Sequence, residues 1–205
     1  CFLLGVVINS FGIALITLAA LGTSPISSVP YVFSLRFTPT LGQFTFGMNL
    51  LFILLQIVLL RRNFQKIQLL QIAVNLLFSA IIDVSMGLLA PFAPQSYGTE
   101  LVWLLIGCAV LAFGIYLEVS PKVLMVRGEG LVQALSQVSG VEFGSVKVGF
   151  DVSLMTFSAV CSFFFQGLQG VGLGTLLSAI LVGLIVKLYR RMLPGIAQSL
   201  APEAA

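Results

Sequence analysis

The stretch Phe143-Gly144-Ser145-Val146-Lys147-Val148-Gly149-Phe150-Asp151 runs directly into an apolar segment of membrane-spanning length. It places Lys147 and Asp151 four residues apart, so that on a helix the two side chains lie on one face and can form an ion pair. Ionisable side chains are costly in hydrocarbon and usually face a protein interior or a water-filled cavity. We therefore predict that this pair contributes to a site, with a purely structural ion pair as the alternative.

A similar stretch occurs in the first half of the chain. Leu41-Gly42-Gln43-Phe44-Thr45-Phe46-Gly47-Met48-Asn49 aligns with residues 143–151 without gaps. The glycines coincide at two positions, and Asn49 falls opposite Asp151. The match predicts that the chain consists of two related halves.

The composition is that of a membrane protein. The chain is 59% hydrophobic and only 8% charged, with a mean hydropathy of +1.11, whereas a soluble domain has about 25% charged residues. A spanning helix needs about 20 mostly apolar residues. We predict an all-α membrane protein with six transmembrane helices at residues 2–21, 41–60, 68–89, 99–117, 145–165 and 171–189.

Basic residues indicate how these spans are oriented. Lys and Arg cluster after the second span, at 61–66, and at the end of the sixth, at 187–191, whereas residues 91–100 carry none. Because positively charged loops stay in the cytoplasm, both termini are predicted to be cytoplasmic. Each half then holds three spans, so residues 98–205 would enter the membrane upside down relative to residues 1–97. The prediction is an inverted-topology repeat.

Two connections, residues 22–40 and residues 119–144, are too long and too apolar to be plain loops. Each contains a break of small residues followed by a short amphipathic run. Ser24 and Pro25 suit a helix start, and Glu129 suits a first helical turn. Both runs are too short to span, so we predict re-entrant helices, with helices lying at the interface as the alternative. Broken segments at matching positions of inverted halves point to the binding site of a transporter.

Several function classes are disfavoured by the composition. The chain has no His, and its three cysteines lie in apolar stretches without CxxC spacing. Without a nucleophile–base pair we expect no enzyme, and we expect no cofactor and no metal. The net charge of +3 is small and scattered, so nucleic acid is not an expected partner. The expected partners are the lipid bilayer and a small-molecule solute, and a homodimer stays open.

Other polar residues lie inside the predicted spans. Asp83 is late in the third span, where its carboxylate could be protonated or paired, and both a functional and a structural role stay open. Glu118 ends the fourth span and is expected to pair structurally with Lys122 at i+4. Neutral residues such as Gln56 and Asn75 are interpreted as hydrogen-bonding groups between helices.

Four stretches together resemble the YczE/YyaS/YitT group of bacterial integral membrane proteins: Gly22-Thr23-Ser24-Pro25 and residues 128–135, 143–151 and 170–175. The first half departs from the usual pattern, because Ile26-Ser27 stands where that group commonly has a Trp-Asp pair. The resemblance implies a multi-span protein of the bacterial inner membrane, consistent with transport, and supplies no substrate.

The expected function is secondary transport of a small polar or anionic solute. Residues 22–28 and 128–133 should approach each other near the bilayer midplane, where half-helix N-termini favour an anionic group. Two alternatives are a substrate-binding subunit of a larger energy-coupled uptake complex and a non-transporting accessory membrane protein. The candidate site residues are Ser24, Ser27, Ser28, Asn49, Gly128, Glu129, Gly130, Gln133, Lys147 and Asp151.

Overall fold

The computed structural model describes residues 2–61, 69–119, 128–165 and 170–193. These residues form eight α-helices and no strand, which confirms the all-α prediction. A short 3-10 turn, Ala90–Phe92, follows the fourth helix. The helices are α1 Phe2–Leu18, α2 Pro25–Arg36, α3 Leu41–Leu60, α4 Leu70–Leu89, α5 Tyr97–Val119, α6 Gly128–Ser139, α7 Phe143–Phe165 and α8 Leu173–Met192.

Four stretches of helix in the described part are long and apolar enough to cross a membrane: Leu41–Leu60, Leu70–Phe92, Tyr97–Glu118 and Phe143–Phe165. The apolar parts of α1 and α8 are shorter. Large apolar side chains cover the outer faces of the long helices, and Phe164 is 77% exposed. Such a surface would be costly in water and suits lipid contact. The protein is therefore membrane-embedded, while the count of six spans stays a prediction.

The helix bounds differ from the predicted spans by a few residues. The largest differences are three residues, at the end of α8, which reaches Met192, and at the end of α1, which stops at Leu18 and not at residue 21. The end of α1 has a visible cause. The chain turns there because Ala20 and Gly22 have positive φ angles of 58° and 118°. The carbonyl of Leu21 then accepts a hydrogen bond from the N–H of Gly174 at 2.9 Å, which docks the turn on the start of α8.

The centre of one helix group is the close pair of α1 and α5. Gly12 lies against the backbone of Leu111, where a Cβ atom would come within 2.6 Å of the amide nitrogen. Gly114 is equally close to the backbone of Asn9. Helix α4 packs on α1, and α8 packs on α5. The shared core is apolar and includes Val6, Ile13, Ile16, Val74, Phe78, Ile82, Leu104 and Leu111.

The second group joins the two short helices to α3 and α7. Helix α2 packs on α7 and α3, and α6 packs on α3 and α7. One buried residue from each helix forms the centre, which we call the apolar hub: Val29, Phe52, Leu131 and Leu154. Short helices that pack in this way are not lying on opposite membrane surfaces.

The helix contacts fall into matched pairs. Contacts α1–α4, α2–α3 and α2–α7 correspond to α5–α8, α6–α7 and α6–α3. The hub follows the same relation, because Val29 and Leu131, like Phe52 and Leu154, are 102 positions apart. This is the spacing that relates Asn49 to Asp151. The pattern is the one expected of two related halves; their inverted orientation stays a prediction.

Two pairs break the match: the smaller is α2 with α8, which has no counterpart between α6 and α4 in the described part, and the larger is α3 with α4. Helices α3 and α4 pack together, whereas α7 and α8 show no comparable packing in the described part of the chain. The two halves therefore have different internal arrangements.

Candidate functional site

The predicted ion pair is present on α7. The Lys147 Nζ atom lies 2.6 Å from Asp151 Oδ1, and the two side chains are 25% and 22% exposed. An α-helix brings residues at i and i+4 onto one face, which accounts for the pairing. The alternatives of a site contribution and a structural role both remain.

The serines cluster at the start of α2. Ser24 occupies the N-cap position, but its side chain makes no capping hydrogen bond. Its hydroxyl instead donates to Ser27 Oγ at 3.0 Å, and Ser28 Oγ donates to the carbonyl of Pro25 at 2.7 Å. Pro25 is the first helical residue, as predicted. Ser27 and Ser28 are buried, so the turn presents little of its hydroxyl surface to the outside.

The start of α6 lies against the start of α2. A Cβ atom on Gly128 would lie 3.5 Å from Ile26 Cδ1, with Phe150 at 3.1 Å and Phe52 at 3.4 Å. This contact brings residues 26 and 128 together, as predicted for the segments 22–28 and 128–133, although α2 and α6 are not a packed pair among the described helices. It excludes the alternative in which the two segments lie on opposite surfaces, about 30 Å apart. Their depth in the bilayer stays a prediction.

Asn49 is buried on α3, on the side of the helix that also carries Gly42 and Gln56. It is 2% exposed, and its Nδ2 has no hydrogen-bond partner among the described residues. Phe52 and Gln56 follow at i+3 and i+7, on the same face. Gln56 lies so close to Gly130 that a Cβ atom there would come within 2.9 Å of its amide.

Gln56 becomes a further candidate site residue, although its sequence position indicated only a hydrogen-bonding group between helices. The repeat spacing of 102 relates it to Ser158 on α7, which is also buried and also lacks a partner in the described part. Extending the alignment of 41–49 with 143–151 by two helical turns would have found both.

The remaining candidates lie apart from these contacts. Glu129 and Gln133 are half-buried on α6. Within the described residues, no hydrogen bond or ion pair joins either of them to the α2 serines or to the pair on α7. The structure thus brings the start of α6 against Ile26 of α2 and Gln56 of α3, and leaves the charged residues at the edge.

Asp83 has a structural role. Its Oδ1 accepts a hydrogen bond from the N–H of Gly42 at 2.8 Å, and its Oδ2 accepts from Thr40 Oγ1 at 2.6 Å. Thr40 and Gln43 also form a capping box at the start of α3. A carboxylate at a helix N-terminus satisfies free N–H groups and opposes the positive end of the helix dipole. Asp83 therefore fastens α4 to the start of α3.

Glu118 is buried at the end of α5, where its Oε1 accepts a hydrogen bond from Asn9 Nδ2 at 3.1 Å. This bond joins α5 to α1 and supports the structural interpretation. Its predicted partner Lys122 lies outside the described residues, as do Arg62 and Lys66.

The fold and these contacts define a class, that of all-helical, membrane-embedded proteins. The model of the family of unknown function DUF6198 matches residues 1–191. The chain belongs to this family. No curated protein and no solved structure matches the chain. The resemblance to the YczE/YyaS/YitT group stays a prediction.

Proposed function

We propose that the protein is a secondary transporter of a small polar or anionic solute in the bacterial inner membrane. It would consist of six spans in two inverted halves, with both termini in the cytoplasm. The observation that carries the proposal is the contact between Ile26 of α2 and Gly128 of α6. Two short helices that begin at one point inside a membrane protein are a recurrent way to bind a solute near the midplane.

The groups at the place where α2 and α6 begin suit a polar solute. The first turn of a helix has free N–H groups and a partial positive charge, which favour anionic groups. Asn49 and Gln56 add buried amide nitrogens without a partner in the described part. Lys147 would attract an anion from the edge, and Glu129 would attract an ammonium group, so a zwitterion also fits. Asp151 is a candidate carrier of a coupling proton.

The unequal halves fit alternating access. Asp83 fastens α3 to α4 in the first half, whereas α7 and α8 lack comparable packing among the described residues. In an inverted repeat, the two halves can exchange their arrangements, and the site then opens to the other side of the membrane. The structure would correspond to one of these two states.

The test begins with the purified protein in detergent and a panel of metabolites. A solute that binds only the folded state raises the unfolding temperature. Uptake of the stabilising solute into proteoliposomes is then measured, with protein-free vesicles as the control. Uptake that depends on the protein supports the proposal. A stabilising solute that is bound but never crosses the membrane would contradict it and favour an accessory or binding role.

A further inference from the structure

Buried polar atoms without partners are concentrated on one helix pair. The described residues show nine such side-chain atoms, and seven of them are on α3 and α4. Buried polar groups are normally hydrogen-bonded, so unpaired ones point to an unobserved ligand or water. The seven are Asn49 Nδ2, Gln56 Nε2, both polar atoms of Gln71, both of Asn75, and Ser79 Oγ.

The helical positions on α4 show where these groups point. Ser10 Oγ donates to the carbonyl of Phe78, so the Phe78 side of α4 meets α1. Ser79 and Asp83 mark the side that meets α3, because both lie against Gly42. At about 100° per residue, Asn75 and Gln71 fall between these two sides. Their side chains therefore face the space between α1 and α3.

The positions on α3 give the matching direction. Gly42 faces α4 and Gln56 faces Gly130 of α6, and Asn49 lies between them around the helix. The two helices are antiparallel, since the start of α3 meets the later part of α4. Asn49 lies seven residues after Gly42, and Gly42 is level with Ser79 and Asp83. On the antiparallel α4, Asn49 is therefore level with the positions seven residues before these two. Asn75 lies between those positions, about 1.5–5 Å along the helix axis from either one.

Gln71 lies one turn before Asn75 on α4. It is level with the part of α3 between Asn49 and Gln56. The four carboxamides thus occupy about 10 Å of the same helix pair. We call this set the carboxamide crevice: Asn49, Gln56, Gln71 and Asn75. All four residues are 2% exposed or less.

The unpaired atoms of the carboxamide crevice include both donors and acceptors. All four amide nitrogens lack partners in the described part, and so do the carbonyl oxygens of Gln71 and Asn75. An anion would use only the donors and leave two buried oxygens unpaired, while a cation would do the reverse. Leaving a buried donor or acceptor unpaired costs about 1–3 kcal/mol. A solute that is uncharged and offers both kinds of group avoids this cost.

We propose that the carboxamide crevice binds a small uncharged solute that both donates and accepts hydrogen bonds, of which a primary carboxamide is the simplest example. The inference rests on the proposed function in one respect, because it narrows the transported solute to this class. Gln56 connects the crevice to the start of α6 through its contact with Gly130, so the same solute could pass between the two places.

The experiment compares three probes of nearly equal size: propionamide, propionate and propylammonium. Each is added to the full chain in detergent, and the unfolding temperature is measured over a range of concentrations. We expect propionamide to raise the unfolding temperature in a saturable way and the two ions to have no saturable effect. Equal stabilisation by propionate would overturn the inference. No stabilisation by any probe would also overturn it, since water alone would then fill the crevice.

The variant for this test is Gln71→Leu combined with Asn75→Leu, with Gln137→Leu, an exposed glutamine on α6, as the matched control. Replacing unpaired amides by apolar groups of similar size should leave the protein folded. We expect at least tenfold weaker binding of propionamide in the double variant and unchanged binding in the control. Unchanged binding in the double variant would refute the assignment. If the double variant fails to fold, the three-probe comparison on the unmodified protein still decides.

Uptake measurements in proteoliposomes distinguish binding from transport. If propionamide binds through the crevice but no solute crosses the membrane, the proposed function fails and this inference stands. If an anion is transported and propionamide does not bind, the proposed function stands and this inference fails.

Discussion

The strongest structural prediction concerns Asp83→Ala. The change removes both acceptors that hold the start of α3, namely those for the N–H of Gly42 and the hydroxyl of Thr40. Hydrogen bonds to charged groups contribute about 1.5–3 kcal/mol, and an orphaned buried donor costs about 1–3 kcal/mol. The capping box of Thr40 and Gln43 remains and limits the loss. We expect a loss of about 2–4 kcal/mol in the free energy of unfolding.

Asp83→Asn should cost less, about 1 kcal/mol, because the carboxamide keeps one acceptor for Gly42 and can donate to Thr40. The control is Glu142→Ala, which removes an exposed carboxylate just before α7, at the position related to Thr40 by the repeat spacing. It should change stability by less than about 0.5 kcal/mol.

The assay is reversible unfolding in mixed detergent micelles, followed by circular dichroism as the denaturing detergent increases. The free energy of unfolding should decrease in the order unmodified protein, Asp83→Asn, Asp83→Ala. The structural role of Asp83 is the claim under test. It would be refuted if Asp83→Ala were as stable as the unmodified protein, or if Glu142→Ala cost as much as Asp83→Ala.

Three further predictions follow from contacts and topology. Gly12→Ala should destabilise by about 1–3 kcal/mol, because its Cβ would lie 2.6 Å from the Leu111 nitrogen, whereas Gly183→Ala, with open space around it, should not. Lys147→Ala should lower the free energy of unfolding by less than the about 3–5 kcal/mol lost when a fully buried pair is broken. Combining Lys147→Met with Asp151→Leu should restore folding but not transport. Restored transport would show that the pair is purely structural. In a cysteine-free background, Ser96→Cys should react with impermeant reagents only from outside, and labelling only from the cytoplasm would contradict the topology.

Local signals predicted much of the helical framework. Apolar length located the long helices, and the sequence around Gly22 and Pro25 located the break between α1 and α2. These features depend on neighbouring residues alone, through backbone freedom at glycine and the missing N–H of proline. The end of α1 was misplaced by three residues, because the turn is fixed by a hydrogen bond to Gly174, which is distant in sequence.

The site was harder to predict because partners come from different helices. The sequence left both a functional and a structural role open for Asp83, and its bonds to the start of α3 show the structural one. Asn75 was interpreted as a hydrogen-bonding group between helices, and only the packing shows that it and Gln71 lack partners in the described part. In contrast, the relation of Gln56 to Ser158 was present in the sequence, as an extension of the repeat beyond Asn49 and Asp151.

In the proposed transport cycle, a solute passes the point where α2 and α6 begin. The most direct measurement uses a cysteine-free protein carrying Ile26→Cys and Gly128→Cys in proteoliposomes, with uptake of the stabilising solute measured before and after crosslinking by a short reversible reagent. Because these positions are in contact, crosslinking should be efficient. We expect uptake to fall to the level of protein-free vesicles and to return when the crosslink is reduced, with each single-cysteine protein unaffected. Undiminished uptake by the fully crosslinked protein would contradict it.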